Sequence, residues 1–418
     1  MQKKPHIHRA WWMLVGCCLL QGGTLGIIHN CRGIFYDPII EDLGFGMGAF
    51  SFYILFFGVC SCFVLPFVGK LFRRVDSRIL LGGASLVFSG TVFVMGLFHT
   101  LPAFYIAGAI QGFASAFLMF YPAPFILGNW FYKKSGLAVG ISAAVAGLAG
   151  VLGNPLGNAI IRTFGWRVGF FAFGILSLLM TLPVSVFLLR RSPEDAGCRP
   201  YGAEDAAALA GESCPLGGVP SARAKRESAF WLLILAGLLA AFTCSYYAHL
   251  SPLGIYFGYG SVAGALMVSC SMAGNVTSKL LLGQLYDRFG LRIALFAGTL
   301  TVAAGFLLLL VDSLPVRIIG SCLYGCSMGV STVMVPVAIR DVYGSRDYGD
   351  LLPFSSMAST LGTSVNIAII GYMVDGFGRQ RGYIVSLWYG LALTLSMGAL
   401  LIVSIRRGRK SAAEYPSL

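Results

Sequence analysis

Apolar residues in this chain do not alternate with polar ones but run on in long blocks. Stretches without a Lys, Arg, Asp or Glu cover 10–31, 48–69, 79–98, 101–132, 135–161, 168–189, 228–278, 293–311, 318–339, 351–374 and 382–405. A helix of roughly 20 residues, rising about 1.5 Å per residue, crosses a hydrocarbon core of about 30 Å. The 228–278 block is too long for one crossing and is interrupted by Gly254, Gly258 and Gly260. It therefore divides into two helices, the second running on to about Leu285. The pattern predicts twelve transmembrane helices. Short alternating segments of the kind that build a membrane barrel are absent from the sequence. The expected fold class is an all-α membrane protein.

Composition sharpens this reading. Of 418 residues, 57% are hydrophobic and 11% charged, against about 25% charged in an ordinary soluble domain. No soluble fold hides that much apolar surface, which excludes a disordered chain, a disulfide scaffold and a cytosolic enzyme. The placement of the charges then sets an orientation. With the N-terminus inside, 23 of the 30 Lys and Arg fall in inner tails and loops. Five fall outside: Arg162, Arg167, Arg317, Arg379 and Arg381. The remaining two, Arg32 and Lys279, lie within or at the end of a helix. By the positive-inside rule both termini are expected in the cytoplasm, in a multi-pass protein of the cell's inner (plasma) membrane. The net charge of +13 is thus a topology signal and implies no nucleic-acid partner. The first apolar block is too long for a signal-peptide core and lacks a small-residue cleavage site, so it stands as helix 1.

Nine of the eleven cysteines fall in predicted helices, where they behave as small apolar residues. Cys198 and Cys214 fall in an inner loop. Neither a disulfide framework nor metal-ligand spacing is visible. H-E-x-x-H, G-x-S-x-G and clustered carboxylates are also missing, so the expectation is no enzyme, no cofactor and no metal.

The chain reads as a duplication. The longest inner connection, 190–227, concentrates acidic residues and carries Pro193, Pro200, Pro215 and Pro220. It divides the sequence into a six-helix bundle over 1–189, the loop 190–227, a second bundle over 228–410 and a tail over 411–418. Gly69, Leu71, Arg74 and Arg78 recur 214 positions later as Gly283, Leu285, Arg288 and Arg292. At the same offset Pro122 meets Pro336. Two independent features sharing one offset imply two homologous bundles about a pseudo-two-fold axis, with a site at mid-membrane between them.

Residues 283–292, Gly-Gln-Leu-Tyr-Asp-Arg-Phe-Gly-Leu-Arg, resemble the G-x-L-x-D-R-x-G-x-R loop signature of the major facilitator superfamily. The first-half copy departs from it, with Arg73 in place of the aspartate and Asp76 in place of the second glycine. A narrower resemblance rests on Trp130-Phe131-Tyr132-Lys133-Lys134-Ser135-Gly136-Leu137-Ala138-Val139-Gly140-Ile141. It rests also on Gly33-Ile34-Phe35 with Pro38 and Glu41-Asp42-Leu43-Gly44, on His249-Leu250-Ser251-Pro252, and on Arg191-Ser192-Pro193-Glu194-Asp195-Ala196-Gly197. These are similar to the monocarboxylate porters and the bacterial oxalate/formate antiporter-like group. The resemblance implies a monomeric secondary transporter of small organic anions working by alternating access, with a small carboxylate and protons as partners besides the bilayer. Exchange of the oxalate/formate type, and export of another solute class, are the alternatives. It also implies gating by Asp287, Arg288 and Arg292, with Arg340 and Asp341 as further loop candidates, and a substrate-binding cation in helix 8 at Lys279, where the family commonly has arginine.

Charges near membrane depth cost roughly 2.5–3.5 kcal/mol on insertion scales and are usually functional. No Asp or Glu falls in the core of any assigned helix, and such a pathway suits an anion. Lys279 either binds the substrate carboxylate or snorkels to the inner surface. Unlike arginine, a lysine side chain is able to release its proton when desolvated. His29 and Arg32, three residues apart, form either an anion funnel or an interfacial anchor against Asp37 and lipid headgroups. His249 is either a pathway residue or a packing one. Tyr121, beside Pro122 and Pro124, and Asn275, one turn before Lys279, are further substrate candidates. The hydroxyls of Ser355, Ser356, Ser359, Thr360 and Thr363, with Asn366, face either ligand or a neighbouring helix. Gly147, Gly150, Gly153 and Gly157 are close-packing positions. With Asn275 standing where family members carry a helix 8 aspartate, proton coupling falls to Lys279 or His249; without either, the chain works by anion exchange or uniport.

Overall fold

The computed structural model describes residues 8–131, 135–194, 197–202, 219–344 and 347–413, and for a few helical residues, Lys70, Arg73 and Asp287 among them, the backbone only. The described residues are helical, with one isolated bridge between Phe131 and Tyr201 as the extended pairing. Twelve helical spans are long and apolar enough to cross a membrane. In order they are α1 (Arg9–Leu43), α2 (Met47–Gly69), α3 (Ser77–Met95), α4 (Leu101–Trp130), α5 (Leu137–Phe164), α6 (Trp166–Leu188), α7 (Ser228–Tyr256), α8 (Gly260–Tyr286), α9 (Leu291–Leu310), α10 (Leu314–Tyr343), α11 (Asp350–Phe377) and α12 (Arg379–Arg409). An even number of spans puts the beginning of α1 and the end of α12 on one face, here the terminal face.

The duplication reaches into the irregularities. Span α4 carries a π-helical turn at Ala116–Phe120 ahead of Pro122, and α10 carries one at Val330–Met334 ahead of Pro336, 214 positions on. Proline has no N–H to give to the preceding turn, so the helix widens where that bond is lost. Spans α1 and α7 break likewise. In α1 a π-helical stretch, Gly22–His29, leads to a 3-10 turn at Arg32–Phe35 and a last α-helical piece at Tyr36–Leu43. In α7 a 3-10 turn at Ser245–His249 leads into Leu250–Tyr256. Both broken spans end on a left-handed glycine, Gly44 (φ 69°) and Gly258 (φ 85°). A side chain would be strained at either position.

The two six-helix halves meet along two seams. The first pairs α2 with α11, where Gly48 and Gly371 bring the backbones together. The second sets α5 against α8, with α1 packed beside α5 in its own half. A Cβ built at Gly147 would strike Val276, one at Gly150 would meet Asn30 and Met272, and one at Gly153 would meet Cys31. The glycine row therefore packs as expected, Gly147 across the halves, Gly153 within its own half and Gly150 against both. The connection after α6 is pinned by backbone bonds from Tyr201 to Trp130 and from Val219 to Tyr343, and by Asp347, which accepts the Ser221 N–H at 2.8 Å. Cys214 lies outside the described residues.

Arg317 departs from its reading as a loop charge. It is 1% exposed, stacked 3.8 Å from the Phe257 ring and donating Nε to the Leu309 carbonyl at 3.1 Å. Its partner Asp312, 3.4 Å away, keeps contact with water.

Candidate functional site

A cavity of about 370 Å³ lies between the halves. Its closed end is formed by His29 and Asn30 of α1 and Tyr247 of α7. From there it extends towards the terminal face, past Leu65 of α2, Pro336 of α10 and Leu352 of α11. The irregular segments position this closed end. The π-helical stretch of α1 delivers His29, and the 3-10 turn of α7 delivers Tyr247. The Tyr247 hydroxyl lies 2.9 Å from His29 Nε2 and 3.3 Å from its carbonyl oxygen, which ties the halves together over the cavity.

Among the described residues Lys279 is the one charged side chain in the cavity wall, and no Asp or Glu lines it. Asn275 stands one turn away on the same wall. Its Oδ1 is buried without a hydrogen-bond partner. The α8 helix continues to Phe289, so Lys279 stands ten residues, about 15 Å, from the helix end. Opposite, α11 presents Ser355, Ser356, Ser359, Thr360, Thr363 and Ser364. Thr360 and Thr363 donate to carbonyls one turn back at 2.9 and 2.8 Å, and their lone pairs stay open. The site thus combines one ammonium group, two amides, a phenol, an imidazole and a bank of hydroxyls in an otherwise apolar chamber. Such a donor set suits a small anion with an apolar body.

Of the sequence candidates, Lys279, Asn275, His29, Ser355 and Ser359 meet at this cavity; Arg32, His249 and Tyr121 do not. Arg32 is 5% exposed, so it forms no surface funnel and makes no ion pair with Asp37. Its guanidinium lies 4.2 Å above the Phe57 ring and donates to Gln111 Oε1 at 3.0 Å. The chain breaks between His29 and Arg32, which removes the shared helical face their spacing implied. His249 is fully buried and donates Nε2 to the Ile367 carbonyl at 2.9 Å. The Tyr121 ring lies between Phe72 and Phe125 with its hydroxyl towards Gly69. Asn366 serves interhelical packing: Nδ2 donates to the Phe242 carbonyl and Ser245 Oγ, each at 2.9 Å, and Oδ1 accepts from Tyr389. Arg288 and Arg292 are exposed at the terminal face, the Asp287 side chain lies outside the described residues, and Asp341 pairs with Arg409 of its own half at 2.7 Å.

Sequence reasoning missed Asn30, Tyr247, Ser331 and Thr332 in the cavity wall. It also missed a carboxylate. Asp37 lies within α1 and is 3% exposed, which corrects the expectation that helix cores hold no Asp or Glu. The charge of Arg32 marks the end of helix 1 in the sequence pattern, whereas the span continues through the 3-10 turn to Leu43.

Two broken, duplicated six-helix halves around a central cavity have the architecture of a membrane transporter. Residues 25–277 and 253–417 each match the family model described as Major Facilitator Superfamily, and the chain belongs to that family. It is 25% identical over 293 residues to the MFS-type transporter pynF of Aspergillus niger, a match covering 68% of this chain and 62% of that protein. It is 23% identical to monocarboxylate transporter 12 of Mus musculus, over 97% of this chain and 88% of that one. The structure of a bacterial homolog to the human lysosomal transporter Spinster, inward-facing and unoccupied, superposes with a TM-score of 0.70 at 16% identity, over 98% of both chains. The family and these relatives are transporters and not enzymes.

Proposed function

We propose that this protein moves small organic anions, monocarboxylates or related carboxylates, across the cytoplasmic membrane by alternating access, with Lys279 holding the substrate carboxylate. The observation that carries the reading is the central cavity, whose one charged lining group among the described residues is a lysine and whose wall holds no carboxylate. An ammonium group in an apolar chamber attracts an anion, and Asn275 stands beside it to fix the carboxylate's orientation. The monocarboxylate transporter among the relatives supports the same substrate class. Both termini face the cytoplasm in this reading, supported by the excess of Lys and Arg on the terminal face. The cavity then extends towards the cytoplasm, with Arg288 and Arg292 at its mouth to gate it.

The test is thermal shift of the purified protein against a panel of mono- and dicarboxylates. A true substrate at 100 times its dissociation constant stabilises the fold by about 2.7 kcal/mol. A panel without any stabilising carboxylate would overturn the reading. For any carboxylate that does bind, uptake into proteoliposomes empty of internal anion separates proton-driven symport from exchange.

A further inference from the structure

The buried carboxylate of α1 belongs to no part of the site just described. Asp37 sits beneath the face opposite the termini, between the halves. Facing it are Tyr256 of α7 and Tyr383 and Arg379 of α12, with Glu41 one turn on in its own helix. Tyr256 turns its hydroxyl towards the carboxyl, yet neither carboxylate oxygen completes a hydrogen bond of good geometry among the described residues. Arg379, the nearest cation, is exposed, stacks 4.9 Å from the Tyr256 ring and forms no ion pair with Asp37. The surrounding layer is equally unsatisfied. The hydroxyls of Tyr36 and Tyr383 and Nδ1 of His249 are buried without partners. The His249 ring stands 5.9 Å from Tyr36 and 6.3 Å from Tyr383.

Unpaired buried polar atoms are rare in native proteins, and a buried unpaired carboxylate is among the most costly of them. Here the cost is tied to one conformation. The partners Tyr256, Tyr383 and Arg379 all come from the other half, so parting the halves at this face would return Asp37 to water. We propose that Asp37 is a proton-binding site whose occupation permits the face opposite the termini to close. An open face lets the carboxylate take a proton from water. Closure then buries a neutral carboxylic acid, which costs far less to take out of water than an unpaired carboxylate. Loss of the proton favours the open face. The proton returns to the same side when this face reopens, so the site sets the pH dependence of closure and carries no net proton across.

The experiment is hydrogen–deuterium exchange of the full-length protein in lipid nanodiscs across a pH series, comparing wild type with Asp37→Asn at each pH. Segments 36–48 and 372–383 report on the closed face. In the wild type their protection should fall several-fold as pH rises. Asp37→Asn, which is isosteric and permanently neutral, should keep them protected throughout, and Asp37→Glu should restore the pH dependence. Equal pH dependence in wild type and Asp37→Asn, or none in the wild type, would overturn the proposal. This readout needs no substrate, so it stands apart from the carboxylate panel, and failure of that panel leaves it intact.

Discussion

Asp375, near the end of α11, caps the first turn of α2 in the other half of the protein, its Oδ2 accepting the Gly48 N–H at 2.7 Å. Its Oδ1 accepts the neighbouring Met47 N–H at 3.0 Å. The first N–H groups of a helix have no partner within the helix, and a carboxylate there also meets the positive end of the helix dipole. Helices usually find that cap a residue or two upstream. Here it is supplied across the interface, so the bonds exist only while the face opposite the termini is closed.

Removing this cap should loosen closure and leave the halves themselves folded. An N-cap is worth about 0.5–2 kcal/mol, and one or two kcal/mol changes a population ratio roughly 5- to 30-fold. Asp375→Ala should raise the open population by a factor in or below that range, read as faster labelling of a cysteine placed near Met47. Asp375→Asn keeps one acceptor and should fall between. Labelling unchanged in Asp375→Ala would show that the cap does not hold this face.

Steric closeness acts at the same face. A Cβ at Gly33 would stand 2.7 Å from the Ala248 carbonyl oxygen, backbone against backbone, where α1 crosses α7. Neither chain has a flexible tip to yield, and overpacking of this kind typically costs 1–3 kcal/mol. Gly33→Ala should therefore bias the protein towards opening, seen as faster hydrogen exchange in 245–256. Gly90→Ala, with nothing within 4 Å of its Cβ, is the control and should exchange like wild type.

Hydropathy made the twelve spans legible because a membrane demands long apolar helices and little else. The duplication was legible through Pro122 and Pro336, since proline leaves a mark in both sequence and backbone. Lys279 and Asn275 were legible because they share one face of one regular helix. Where a helix was not regular, the reading failed for a single reason: spacing no longer reported facing. Arg32 turned away from His29 across the break in α1, and Asp37 was placed at the surface because Arg32 looked like the helix end. Tyr247 carried no signal at all, being one aromatic residue in an apolar stretch until the 3-10 turn of α7 aims it at His29.

Orientation yields a prediction independent of any substrate. Of the 30 Lys and Arg, 23 fall on one side in the sequence pattern. Cys198, on the connection between the halves, is half-buried, and Cys214 lies further along the same connection. In intact cells a membrane-impermeant maleimide should spare both, and should reach them once the membrane is opened from the cytoplasmic side. External labelling of either cysteine would invert the topology.

The sharpest outcome concerns Lys279. Among the described residues its ammonium group has no hydrogen bond or ion pair, although it stands in the cavity wall about 15 Å from the end of its helix. Charge at such depth without a protein partner is costly, and a bound carboxylate would offset that cost. A hydrogen bond to a charged group contributes about 1.5–3 kcal/mol, so Lys279→Gln should weaken binding of an anionic substrate by roughly 10- to 100-fold. The fold should not suffer, because glutamine relieves an unpaired charge, and the variant should be monodisperse and at least as resistant to heat as wild type without ligand. Lys279→Arg keeps the charge on a longer, planar head and should retain part of the affinity. The measurement is the ligand-induced thermal shift of all three proteins with whichever carboxylate stabilises wild type. An undiminished shift in Lys279→Gln would mean that the lysine serves the inner surface and that the carboxylate is held by the α11 hydroxyls instead. Loss of the shift in Lys279→Gln with partial recovery in Lys279→Arg would tie the anion to the cation at this position.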